Sequence, residues 1–159
     1  MFFDLSLLYW ALCFLIEAAL LGIIMYTLIC LADLENDFIN PHDSANRINK
    51  FVGPEYVLQA IHFLFFLLAG KWSLVLVSLP VVGWLARSYL KGEALVDVTE
   101  IFNNLSMEKK IRLTKLFFHL LMFIIIIYRV VEALVNFVMA SHGPAISHTI
   151  ISNIARAAT

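Results

Sequence analysis

The residues of this chain with the greatest capacity for chemistry are ionisable side chains inside apolar stretches. Glu17 interrupts the first apolar stretch, and Arg129 and Glu132 interrupt the last one at a spacing that allows pairing on a helix. His62 and His119 lie in the second and last stretches, without a cysteine or carboxylate at metal-ligand spacing. Such groups serve transport pathways, proton relays or pairing between helices. Because they are few, the sequence favours pairing and interhelical hydrogen bonds. Glu17 lacks an evident partner and is expected either to be protonated or to face the bundle interior.

A second polar feature is the alternating acidic run Asp33, Glu35 and Asp37. Its spacing resembles the start of a calcium loop, but the glycine and the terminal bidentate glutamate of such a loop are missing. No glycine-rich phosphate loop or activated nucleophile is visible elsewhere. The sequence therefore predicts no catalytic site, no cofactor and no metal. The net charge of -1 provides no basic surplus for nucleic acid.

The elements that position these residues are set by composition. The chain has 159 residues, of which 62% are hydrophobic and only 14% charged, so it is predicted to be an integral membrane protein. Apolar stretches cover Leu5 to Leu31, Tyr56 to Leu90 and Leu113 to Ala140. The middle stretch is too long for one perpendicular span. Gly70-Lys71-Trp72 divides it, because a Lys-Trp pair is typical of a membrane interface. The two cysteines are expected to be reduced core residues.

We therefore predict an all-α fold with four transmembrane helices. The polar segment Asp33 to Glu55 is expected to be a loop closed by a turn at Gly53-Pro54. The gap between spans three and four holds the densest basic cluster, which the positive-inside rule assigns to the cytosol. Both termini are then lumenal. A single crossing by Tyr56 to Leu90 would exchange the sides of the N-terminus and the first loop. The sequon at Asn104 must stay unmodified if the basic gap is cytosolic.

A short polar island in that gap, Asp97 to Leu105, carries its own pattern. Asp97 and Glu100 have the spacing of a capping box. Val98, Ile101, Phe102 and Leu105 recur at helical spacing, which predicts a short amphipathic cytosolic helix between spans three and four. Two interpretations stay open at this point. The apolar face either rests in the lipid headgroup region or docks into a pocket of a cytosolic partner.

Several separated motifs resemble the cornichon family of membrane cargo receptors, its fungal-type members most closely. The likeness covers nearly the whole membrane region. It is carried by Ala32 to Pro41, by Pro54-Glu55, by Asp97 to Leu105 and by Lys115 to Phe123 followed by Tyr128-Arg129. The resemblance implies a cornichon-like transmembrane domain over residues 1–140, with residues 141–159 forming a short lumenal tail.

What the resemblance implies about function is an adaptor without catalysis. Such a receptor binds transmembrane client proteins in the endoplasmic reticulum, links them to the COPII coat and cycles to the early Golgi. The coat-binding residues carry over to Ile101, Phe102 and Leu105. The client-binding residues carry over to the end of span two, at Phe66, Leu67, Leu68 and Ala69. Ala69 replaces an asparagine of the fungal pattern, and Asn103-Asn104 replace Arg-Thr.

Two alternatives belong to other classes of protein. One is an auxiliary subunit of an ion channel or receptor at the cell surface, as some animal members of the resembled family are. The other is a small transporter that uses Glu17, Arg129 and Glu132. The lipid bilayer is a partner in every case.

Overall fold

The computed structural model describes residues 5–157, apart from the side chains of 144–147, and these residues form four helices. Their bounds are α1 (Leu5–Glu35), α2 (Pro41–Leu68), α3 (Trp72–Leu90) and α4 (Leu105–Ala157). All four are long and apolar enough to cross a membrane, α4 within Leu105–Gly143. The predicted all-helical fold with four apolar spans is confirmed, including the division of residues 56–90 into two helices.

The helices pack in a ring in which each contacts two others. α1 packs most extensively against α4 and also against α2, while α3 closes the ring between α2 and α4. One apolar core lies towards the α2–α3 turn, and it includes Trp10, Cys13, Phe66 and Met122. Two smaller clusters around Leu31 and Ile101 lie at the other end. As expected, both cysteines are free and buried.

α2 and α3 end in the same kind of hydrogen-bonded turn. At the end of α2, Gly70 has φ +65° and donates its N–H to the carbonyl of Leu67, while Lys71 donates to Phe66. Gly92, at φ +72°, takes the equivalent position after α3. This is the Schellman arrangement, in which a glycine adopts left-handed φ without a side-chain clash. The tight turn predicted at Gly70-Lys71-Trp72 is confirmed.

The start of α2 differs from the expected loop. α2 begins at Pro41, where the Asn40 side chain accepts from the N–H of His42 at 3.0 Å, and Gly53-Pro54 lie inside the helix. Proline suits the first helical position. An interior proline leaves the carbonyl four residues earlier without its donor and crowds it, at a cost of about 3 kcal/mol. Burial of Ile48 against Cys30 and Leu31, and of Ala45 against Leu34, offsets that cost. The predicted turn at Gly53-Pro54 is therefore wrong.

The predicted short amphipathic helix does not form. Residues 98–103 make consecutive turns, and α4 begins only at Leu105. Asp97 accepts hydrogen bonds from the N–H and hydroxyl of Thr99, each at 2.9 Å, so its carboxylate closes a local turn. These bonds lower the pKa of the exposed Asp97 carboxyl. Glu100 contacts the Asn104 side chain and does not reach back to complete a capping box.

α4 continues past the predicted end of the membrane domain. Its 53 residues include 141–157, so the described part of the predicted tail is helical. The helix is roughly 80 Å long at its regular rise, far more than one membrane crossing needs. The division of the chain at residue 140 stays a prediction.

Candidate functional site

The ionisable residues of three spans meet at one point in the bundle. Glu17 Oε1 lies 2.8 Å from Nδ1 of His119, and Glu17 Oε2 lies 3.1 Å from Nδ1 of His62. All three residues are at most 4% exposed. The contacts join α1 to α2 and α4. The interior position expected for Glu17 is confirmed, and the interhelical hydrogen bonding expected for the histidines is confirmed for His119, whereas His62 makes an ion-pair contact. We call these three residues the Glu17 cluster.

A small cavity adjoins the Glu17 cluster. It has a volume of about 10 Å³, and its lining includes Gln59, Ser78 and Met122. Gln59 Oε1, His62 Nε2 and Glu17 Oε2 are buried there without a hydrogen bond among the described residues, and the 3.1 Å contact of Glu17 Oε2 with His62 is an ion-pair contact. The volume is near the minimum for one water molecule. On its other side, the His62 ring lies 4.3 Å from the ring of Phe66.

The second charged pair of the spans lies apart from this cluster. Arg129 and Glu132 make the predicted pair at 2.9 Å, with 42% and 44% of their side chains exposed. Glu17, in contrast, is fully enclosed. The three ionisable residues suggested for transport therefore do not line one pathway.

The three residues predicted to bind the coat differ in their exposure. Ile101 is 1% exposed and packs with Leu34 and Ala45, and Leu105 is partly buried against the same cluster. Phe102 is 55% exposed. A single outward apolar face is therefore absent. Ile101 and Leu105 anchor the segment, and Phe102 projects from it.

A side chain of α2 holds this segment in place. The Asn49 amide accepts from the N–H of Val96 at 2.7 Å and donates to its carbonyl at 3.0 Å. This pair of bonds mimics one rung of a β-ladder. We call residues 93–104 the anchored segment. The sequence pattern does not reveal the contribution of Asn49, because the contact joins residues 47 positions apart.

Ion pairs join the helices at the same end. Lys109 pairs with Glu35, which connects α4 to α1. Lys115 pairs with Glu55 at 2.8 Å, which connects α4 to α2 where both side chains are largely buried. An open groove of about 410 Å³ lies between this second pair and the anchored segment. Its rim carries the carboxylates of Glu93, Asp97 and Glu100.

The residues predicted to bind clients also separate into two groups. Phe66 is fully buried in the apolar core. Leu67 and Leu68 are 40% and 77% exposed, and Ala69 is exposed at the helix end. The structure therefore brings Phe66 to the Glu17 cluster and leaves the other three on the surface.

Four apolar helices around a small polar interior, without a metal-binding group among the described residues, define a multi-pass membrane protein. The family described as Cornichon protein matches residues 7–128. The chain belongs to the cornichon family. This is a non-enzymatic family of cargo receptors for export from the endoplasmic reticulum.

Plant relatives resemble the chain more than fungal ones do. Protein cornichon homolog 4 of Arabidopsis thaliana is 48% identical over 126 residues, which are 79% of this chain and 92% of the relative. Protein cornichon homolog 1 of Oryza sativa is 51% identical over 107 residues, 67% of this chain and 79% of the relative. The ER-derived vesicles protein erv14 of Schizosaccharomyces pombe is 35% identical over 124 residues, 78% and 90% of the two chains. The expected membership of the cornichon family is therefore confirmed, and the expectation that its fungal-type members are most similar is wrong.

The Glu17 cluster predicts a large effect of removing its carboxylate. Glu17→Ala leaves two buried imidazoles without their acceptor and should lower the free energy of unfolding by about 3–5 kcal/mol. Glu35→Ala is the matched control, since its pair with Lys109 is partly exposed at the helix ends, outside the apolar stretches, and is worth about 0–1 kcal/mol. Unfolding by denaturing detergent in mixed micelles measures both. Equal losses in the two variants would contradict the structural role of Glu17.

The Asn49 clamp predicts a local effect on the anchored segment. Asn49→Ala removes two hydrogen bonds, each worth about 0.5–1.5 kcal/mol, so amide exchange at Val96 should rise roughly tenfold to hundredfold. Asn36→Ala serves as the control, because the side chain of Asn36, the residue directly after α1, bonds to the carbonyl of Ala32 one turn earlier. Hydrogen–deuterium exchange followed by mass spectrometry reads both. Unchanged exchange over residues 93–104 in Asn49→Ala would refute the clamp.

Proposed function

We propose that this protein is an adaptor that binds transmembrane clients in the endoplasmic reticulum and links them to the COPII coat for export to the early Golgi. The proposal rests on exposed apolar side chains that lie near opposite ends of α2. Leu67 and Leu68 are in its last turn, and Phe102 belongs to the anchored segment that Asn49 holds. Asn49, which holds the anchored segment, and Leu68 are 19 positions apart on this helix, roughly 28 Å at its regular rise. That separation is close to the thickness of the hydrocarbon core.

At one end of α2, Leu67, Leu68 and Ala69 present an apolar surface to the bilayer. A client transmembrane helix gains from close packing there, since lipid and leucine are equally apolar and association in membranes rests on fit. Phe66 lies beneath these residues in the core. Its proposed part in client binding is to support the exposed leucines from inside.

At the other end, Phe102 is the side chain proposed to enter a pocket of the coat's cargo-adaptor subunit. Its segment is held by Asn49 and by the burial of Ile101. A segment that is ordered before binding loses less entropy in the complex. The acidic groove beside it favours a partner surface with an apolar pocket and a basic rim.

The proposed orientation puts the anchored segment in the cytosol and both termini in the lumen. Arg87, Lys91 and Lys110 support it, because these exposed basic residues have no ion pair in the described part of the chain and lie at the same end as the anchored segment. Two weak contacts on opposite sides of the membrane gain from effective concentration once both partners sit on one bud.

Removing the projecting ring should separate coat binding from folding. Phe102→Ala is expected to lower incorporation into COPII vesicles several-fold with little change in stability, since the ring is mostly exposed. Ile101→Ala should lower incorporation too, but together with faster exchange in the anchored segment, because it empties a core position.

The measurement is an in vitro budding reaction, and Phe38→Ala is the matched control. Phe38 is 77% exposed in the connection between α1 and α2 at the same end of the bundle. Vesicle incorporation of Phe102→Ala equal to that of Phe38→Ala would exclude the proposed coat contact.

The proposed orientation also predicts a pattern of glycosylation in microsomes. Asn104 is exposed and part of a sequon, yet should carry no glycan if it faces the cytosol. Ala155→Thr turns Asn153 into a second acceptor on the side proposed as lumenal, and a gel shift should report its modification. Glycan on Asn104 itself would reverse the orientation and exclude the coat assignment.

A further inference from the structure

We propose that Glu17, His62 and His119 form a proton-binding site inside the bundle, and that binding of a further proton loosens α2 and weakens its hold on a client. The effect on clients rests on the proposed function. The proton site itself rests only on the contacts among α1, α2 and α4 and on the cavity beside them.

The charge of the Glu17 cluster depends on how many protons its three side chains hold. One carboxylate faces two imidazoles, each with Nδ1 turned to a different carboxylate oxygen. One bound proton makes a carboxylate–imidazolium pair with a neutral second ring, and the cluster then has no net charge. His119 is the ring that fits the imidazolium, because its contact with Glu17 is the shorter and makes a hydrogen bond.

The neutral ring, His62, lines the cavity beside the Glu17 cluster. If His62 carries its proton on Nδ1, towards Glu17, then Nε2 is an acceptor and faces the cavity with another acceptor, Gln59 Oε1. One water molecule can donate a hydrogen to each, which accounts for these two unpartnered atoms. A further proton on His62 turns Nε2 into a donor, and the water then accepts from Nε2 while it still donates to Gln59 Oε1. The cost of this proton is therefore one of charge.

In the part of the chain that the structure describes, no side chain around the Glu17 cluster balances a further proton. α1 contributes Glu17 itself, with the neutral thiol of Cys13 one turn away; α2 contributes Gln59 and His62; α4 contributes His119. From α3 comes Ser78, whose hydroxyl donates to the carbonyl of Val75. Among the described residues, the cluster and its cavity therefore offer a single carboxylate. Two imidazoliums leave an uncompensated buried positive charge, which favours separation of the helices and entry of water.

The contact between His62 and Phe66 connects the Glu17 cluster to the proposed client-binding end of α2. Phe66 lies one turn beyond His62 on the same face of α2, and their rings are 4.3 Å apart. Leu67 and Leu68 follow directly. Displacement of His62 from Glu17 therefore shifts Phe66 in the core and moves the leucine surface with it. The last turn of α2 is otherwise tied to α1 by a hydrogen bond of 3.2 Å from the Tyr9 hydroxyl to the carbonyl of Phe65.

The experiment titrates the full chain in lipid nanodiscs from about pH 8 to pH 5.5, a range in which histidine protonation changes. NMR of ¹⁵N-labelled imidazoles reads the protonation of each ring. Spin labels at Leu68→Cys and Ile124→Cys, both on exposed positions, read the distance between α2 and α4. We expect one imidazolium in the Glu17 cluster at neutral pH, and a second at low pH together with a longer distance.

Two variants and a control complete the test. Glu17→Gln should lose the imidazolium at neutral pH and also the distance change, while His142→Gln, which removes an exposed histidine of α4, should behave as the unaltered chain. His62→Gln keeps the Glu17–His119 pair and should lose only the second protonation and the distance change. The His62→Gln variant therefore provides the test if Glu17→Gln does not fold.

Two neutral rings at neutral pH would overturn the proton site. A distance that stays constant while the second ring is protonated would overturn the loosening of α2. No client or coat is present in these measurements. The proton site can therefore be refuted while Phe102 is still found to support vesicle incorporation. Conversely, the coat contact can be refuted while the Glu17 cluster is still found to bind the second proton.

Discussion

The carboxylate of Glu17 imposes the constraint on which the rest of the structure depends. In the hydrocarbon region no bulk water is available to solvate it, so its charge must be balanced by side chains of other helices. His62 and His119 supply them from α2 and α4, and both contacts hold only at one register of the three helices. That register places the end of α2 at one surface of the bundle and the anchored segment at the other. A polar contact at the centre thus determines where both apolar surfaces lie.

The two ends of the bundle differ in how firmly they are held. At the end of the anchored segment, Asn49 bonds to Val96, Lys115 pairs with Glu55 and Ile101 is buried. Near the other end, Leu67 and Leu68 are exposed above a buried Phe66. An ordered end suits a defined pocket in a soluble coat, while an exposed apolar helix end suits clients of varied sequence. The proposed adaptor uses both properties in one small chain.

Much of the fold was predictable because apolar length and the Gly70-Lys71-Trp72 interruption are local signals. The start of α2 was not, since Gly53-Pro54 indicates a turn locally and only burial against α1 keeps the helix continuous through it. The capping-box pattern at Asp97 was overridden by a hydrogen-bonded turn with Thr99. Pairing of Glu17 with two histidines was also out of reach, because it depends on the relative register of three helices. Its one signal was a lone ionisable residue in each of the first two spans, Glu17 and His62, together with His119 in the last.

The central claim is that the exposed end of α2 receives the transmembrane helix of a client, and crosslinking tests it most directly. A photoreactive amino acid at Leu68 is compared with one at Ile124, a similarly exposed position on α4. After irradiation in endoplasmic reticulum membranes, mass spectrometry identifies the adducts. The account predicts membrane-spanning segments of other proteins attached at position 68 and mainly lipid at position 124. Lipid alone at position 68, or the same proteins at both positions, would contradict it.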